Sequence, residues 1–161
     1  MRVASGPDRG RALLRRALEL GVTLIDTADV YGAGESELAI AEALHPYPRD
    51  LVIATKGGQT VVNGAAHPNC RPEHLRAACE RSMRRLRVDT IDLYQLHNPD
   101  PGVPFEESLG TLSELKQEGK IRLIGVSNLF GEQLERALAR LRPAERQMRE
   151  QGFLELMADR V

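Results

Sequence analysis

A chain of 161 residues that is 42% hydrophobic can bury one sizeable core, and its 22 basic and 23 acidic side chains leave a net charge of −1. One domain is therefore the expectation, and the charge balance gives no electrostatic reason to bind nucleic acid or an anionic membrane. No apolar run approaches the ~18 residues of a membrane span, and the opening residues lack the apolar stretch of a secretion signal. Cys70 and Cys79 have neither metal-ligand spacing nor a disulfide framework, so a cytoplasmic chain without a metal is expected.

Pro7 and Asp8 open a helix over 7–20, with Leu13, Leu14, Ala17 and Leu18 at helical spacing and Gly21 at its end. A short strand, Thr23 to Asp26, follows, and Glu35 to Leu44 reads as a second helix stopped near Pro46 and Pro48. Leu51 to Lys56 is an unbroken run of strand formers, the pattern of a strand covered on both faces, and Gly57-Gly58 breaks it. Gln59 to Asn69 is polar and is expected to be an irregular functional loop. Arg71-Pro72-Glu73 starts a third helix with a stripe of Leu75, Ala78, Cys79, Ser82, Met83 and Leu86. Ile91 to His97 is the next strand, and a fourth helix carries Phe105, Leu109, Leu112 and Leu115 before Gly119. Ile121 to Val126 is a strand ended by Ser127-Asn128, and Leu134, Ala137, Leu138 and Leu141 mark a fifth helix closed by Pro143. The stretch 144–161 reads as one further charged helix. Four βα units after an initial helix predict a parallel sheet wrapped by helices.

Each apolar strand ends on a polar residue: Asp26, Lys56, His97, and Ser127 with Asn128. Tyr31 follows the first strand by five residues, in a loop bounded by Gly32 and Gly34. In a parallel barrel these ends lie on one face, so residues scattered along the chain converge. Their chemistry suits carbonyl reduction. A phenol is a poor acid near neutrality, with a free pKa of about 10, and an adjacent ammonium lowers that value. A carboxylate holds the ammonium in place and offsets the cost of burying it. An imidazole can hydrogen-bond and orient the substrate oxygen. Tyr31, Lys56, Asp26 and His97 supply one such group each. His45, His67 and His74 read as surface or helix-flank residues, Cys70 as a loop residue and Cys79 as core. Arg81, Arg84, Arg85 and Arg87 read as a solvated helix face.

The segment Asp-Thr-Ala-Asp-x-Tyr-Gly (26–32), with Thr-Lys-Gly (55–57), Leu-His (96–97) and Gly-Val-Ser-Asn (125–128), resembles the aldo-keto reductases from about Asp8 to Leu141. The resemblance implies a partial (β/α)8 barrel of about four parallel βα units with an extra N-terminal helix. It makes 1–161 a single incomplete reductase domain, with a divergent helix over 144–161. It also implies Tyr31 as general acid/base, Asp26, Lys56 and His97 as the rest of a tetrad, and Ser127 and Asn128 as holders of the nicotinamide carboxamide. NADPH is implied over NADH, and the substrate is a small aldehyde or ketone. Connecting segments such as His45-Pro46-Tyr47-Pro48 and Asp92 to Asp100 are similar to the bacterial pyridoxal reductase or pyridoxine dehydrogenase branch. Set against the family pattern, an opening strand and the later cofactor-gripping segments are missing. Weak or lost turnover is therefore expected, along with self-association through open barrel edges. The alternative is a non-catalytic, cofactor-binding or regulatory remnant of the same scaffold.

Overall fold

Local sequence explains most element boundaries in the computed structural model, which describes residues 7–139. The expected helix over 144–161 and the end of the fifth helix at Pro143 lie outside the described residues. Helix α1 (Pro7–Glu19) precedes β1 (Leu24–Asp26), α2 (Glu35–Leu44) and β2 (Val52–Gly57). Strands β3 (Gln59–Val62) and β4 (Ala65–Pro68) come next, then α3 (Pro72–Leu86), β5 (Ile91–Leu96), α4 (Phe105–Gln117) and β6 (Ile121–Val126). Pro72 sits in the first turn of α3, where its missing N–H costs nothing, and Arg84 and Arg85 occupy the last turn, where cations suit the helix dipole. The chain groups into two compact units, Met1–Ser127 and Asn128–Val161. In the second unit residues 132–139 are helical, and Ala137 is fully buried.

Strands β1, β2, β5 and β6 form one parallel sheet in that order. Parallel pairing points all four carboxyl ends the same way, with Asp26 level with Ala54 and Lys56 level with Gln95. This is the fold class expected from the alternation of elements: a parallel α/β fragment of a (β/α)8 barrel. Side chains alternate between its faces. Ile53, Thr55 and Tyr94 point toward the helices, and Lys56 and Gln95 point to the opposite side, as the register requires. The core between sheet and helices gathers Ile40, Ala43, Leu44, Leu51, Ile53 and Leu86, with Leu14 and Leu18 of α1 packed on it. Leu109, Leu112 and Leu115 of α4 are also fully buried; each such leucine contributes about 1.5–3 kcal/mol.

The stretch 59–69 departs from expectation. In place of an irregular loop, β3 and β4 pair antiparallel, with Val62 opposite Ala65. The two residues between them, Asn63 and Gly64, have φ of 51° and 80°. This is the left-handed pair that a two-residue hairpin turn requires. Asn-Gly after Thr60, Val61 and Val62 was the legible signal. It was masked by the polar flanks and by the exposure of both valines, which leaves no buried face to give the run an apolar alternation.

Candidate active site

Lys56 is the centre of the polar cluster at the carboxyl rim. It is the fifth residue of β2 and is buried, and its Nζ donates to Asp26 Oδ2 at 2.5 Å and to the Thr27 carbonyl at 2.8 Å. Both acceptors lie at the end of β1, so the ammonium cross-links two neighbouring strand tips. Lys56 Nζ also lies 5.4 Å from the centroid of the Tyr31 ring. The Tyr31 ring meets the His97 ring edge-on, with centroids 5.8 Å apart at 80°. Tyr31 is 44% exposed, so the phenol is open to a small molecule while the lysine beneath it is not. Burial pushes the His97 imidazole below its ordinary pKa, the Lys56 charge pushes it further, and Asp26 partly offsets both. His97 is therefore neutral near pH 7, able to donate one hydrogen bond without carrying charge.

The backbone that presents Tyr31 is a short 3-10 turn, Tyr31–Gly34, in which Gly32, Ala33 and Gly34 all have positive φ. Gly34 has a further reason to lack a side chain. A Cβ there would sit 2.3 Å from Arg85 Cζ. Arg85 reaches over from α3, donating to Glu37 Oε2 at 3.0 Å and to the Asp29 carbonyl at 3.4 Å. Glu37 is fully buried and also accepts from Thr55 Oγ1 at 2.7 Å. The reading of Arg81, Arg84, Arg85 and Arg87 as a solvated face is thus corrected at Arg85, which pairs with a buried carboxylate. Helical spacing could not show this, because the partner lies 48 residues away.

Asp29, three residues beyond β1, donates its backbone N–H to the Lys56 carbonyl at 3.1 Å. Its carboxyl is buried, and Oδ1 has no hydrogen-bond partner among the described residues. Burial first, and then the Glu37 charge, raise its pKa to about 7, against the pull of Arg81 and Arg85. Sequence reasoning missed Asp29, Glu37 and Arg85, since an acid in a glycine-rich turn and another in the first turn of a helix look like ordinary caps. It also missed Gln95, whose Nε2 donates to Asp26 Oδ1 at 2.9 Å. Gln95 precedes His97 by two, and the strand's period of two was the signal that could have found it.

Ser127 follows β6, its N–H on the Leu96 carbonyl at 2.9 Å, and ends the first unit. Asn128 begins the second, with φ 57°. The structure therefore brings Asp26, Tyr31, Lys56 and His97 together. Cys70 and Cys79 are buried, and burial raises both thiols to about 12, so neither offers a thiolate. His45 and His67 are exposed, whereas a ring nitrogen of the half-buried His74 lies 2.9 Å from the Gln59 carbonyl. No trio of His, Cys, Asp or Glu among the described residues is arranged to hold a metal. No helix of the described residues is long and apolar enough to cross a membrane.

Residues 5–151 match the model of the aldo/keto reductase family. Aldo-keto reductase YhdN of Bacillus subtilis is 42% identical over 132 residues, which cover 80% of this chain and 40% of that protein. Among solved structures, the holo form of aldo-keto reductase AKR11C1 from Bacillus halodurans superposes with a TM-score of 0.79 at 34% identity. That match covers 86% of this chain and 47% of the other. An aldo-keto reductase from Klebsiella pneumoniae in complex with NADPH superposes with a TM-score of 0.68 at 32% identity, covering 83% and 44%. The chain spans about two fifths of the length of the curated relatives it matches.

Proposed function

The chain belongs to the aldo/keto reductase family, and on that premise we propose that it serves NADPH-dependent reduction of a small aldehyde or ketone, with Tyr31 as the proton donor. One observation carries this reading: the Lys56 ammonium, fixed by Asp26 and the Thr27 carbonyl, lies beside the Tyr31 ring, with neutral His97 against the ring's edge. In such a cluster the ammonium favours the phenolate left after proton transfer. Neutral His97 holds the carbonyl oxygen toward the phenol without competing for its proton. Asp26 keeps the ammonium aimed and compensates its burial. The hydroxyl and amide of Ser127 and Asn128 match the donor and acceptor of a carboxamide, so by the family resemblance these residues hold the nicotinamide. The cofactor, when bound, supplies the hydride. NADPH is named because the Klebsiella pneumoniae neighbour is in complex with it. We assign 1–161 as one incomplete reductase domain, and the connecting segments make pyridoxal the first substrate to try.

The test is oxidation of NADPH by the 161-residue chain with pyridoxal or an aromatic aldehyde. Turnover that falls by at least about a hundredfold in Tyr31→Phe supports the reading; equal turnover in the variant ends it. Cofactor binding without any turnover would favour the regulatory remnant instead. The reading also includes self-association, because β1 and β6 each present one edge without a strand partner among the described residues. Sedimentation should give a mass above that of one chain, and a strictly monomeric boundary at high concentration would remove this part.

A further inference from the structure

The Asp26 carboxylate has two oxygens and two different holders. Oδ2 takes the Lys56 ammonium and Oδ1 takes the Gln95 amide at 2.9 Å, while nearly half of the side chain faces water. A carboxylate so exposed, on the last residue of a three-residue strand, is poorly fixed by packing and can rotate toward solvent. The Gln95 amide, approaching from the third strand of the sheet, resists that rotation. Space for it comes from the fourth strand. A Cβ on Gly125 would lie 2.7 Å from Gln95 Cγ and 3.1 Å from Leu93 Cδ1. Gly125 is not among the residues with positive φ, so its backbone does not require glycine; the room above it does. Cγ is not the mobile end of the glutamine, so the side chain could not give way cheaply and still reach Asp26. Residues far apart in the sequence, on three strands, thus set the surroundings of one carboxylate oxygen.

We infer that Gln95 is a positioning residue for the Asp26–Lys56 pair, and that Gly125 is the clearance it needs. The inference rests on the proposed reductase site but is read out without turnover. His97 senses both charges: Lys56 depresses its titration and Asp26 raises it. If Gln95 holds Asp26 in place, releasing it lets the carboxylate turn toward solvent, which weakens the raising influence against the ammonium's repulsion. The His97 ring is one of four imidazoles and can be followed by NMR, assigned by its loss in His97→Gln. Gln95→Met keeps the bulk over Gly125 and removes the donor; Gly125→Ala keeps the donor and displaces it. Both should lower the His97 midpoint, by a smaller step than Asp26→Asn, which removes the raising charge outright.

A His97 midpoint in Gln95→Met that matches the parent overturns the inference, because bulk alone would then suffice. If that variant fails to fold, Gly125→Ala decides alone, and an unchanged midpoint there overturns it equally. Where turnover is measurable, kcat should fall several-fold in both variants while the KM for the aldehyde holds. A parent chain with the expected titration behaviour and no turnover counts against the proposed activity and leaves the placement of Asp26 standing.

Discussion

Replacing Asp29 by Asn should stabilise the chain, and only above mildly acidic pH. The Asp29 carboxyl is buried with one oxygen unpartnered among the described residues, beside the fully buried Glu37. Burial, and after it the Glu37 charge, raises the Asp29 pKa from 3.8 to about 7. The sign follows from proton counting. Below about pH 4 the group is protonated folded and unfolded, and it contributes nothing. Between about 4 and 7 the unfolded chain loses the proton and the folded chain keeps it, so stability falls as pH rises; above about 7 the penalty is constant. At 1.36 kcal/mol per pH unit, the interval from 3.8 to about 7 caps the penalty at about 4 kcal/mol. Local opening to water reduces it, and a gain of about 2 kcal/mol for Asp29→Asn at about pH 8 is expected. Urea unfolding followed by far-UV circular dichroism, run on parent and variant at several pH values, measures it. Contributions from titrating groups that do not interact with Asp29 cancel in the difference. A stability difference that is flat from about pH 4 to 8, or a variant less stable throughout, would refute the reasoning.

Arg85→Ala leaves the fully buried Glu37 side chain without its cation. A loss of about 3 kcal/mol is expected, near the low end for a broken buried pair because the Arg85 side chain is 24% exposed. The double variant Glu37→Met/Arg85→Met should recover most of that loss in the same urea assay; an Arg85→Ala cost within about 0.5 kcal/mol of the parent would show the pair to be idle. Lys56→Met removes the charge that, after burial, most depresses His97. The His97 midpoint should rise by about half to one pH unit by NMR, and an unchanged midpoint would place the ammonium elsewhere in solution.

The rim residues were readable in one dimension because a strand that stops being apolar at its tip announces both its end and its polar cargo. Asp26, Lys56 and His97 each follow such a run, and parallel pairing, itself implied by the alternation of helices and strands, sends them to one side. The Asn-Gly turn at 63–64 was equally local, since its conformation depends on two residues, but the polar run around it hid the two strands it joins. The buried layer beneath the Tyr31 turn was not. Glu37 and Arg85 are separated by 48 residues, and each taken alone has the composition of a solvent-facing helix. The need for a glycine at 125 likewise shows only once Gln95 of the neighbouring strand is seen to fill the space above it.

Sequence by itself determined which side chains arrive at the strand tips, because hydrophobic periodicity and chain-local turn chemistry act within a few residues. Tertiary structure alone decided how they are held: which carboxyl is raised toward taking a proton, which cation meets the buried Glu37, and which oxygen of Asp26 meets the ammonium. Those outcomes depend on desolvation and on distances of a few ångströms between groups far apart in the chain, and neither quantity exists until the sheet and helices have closed around them.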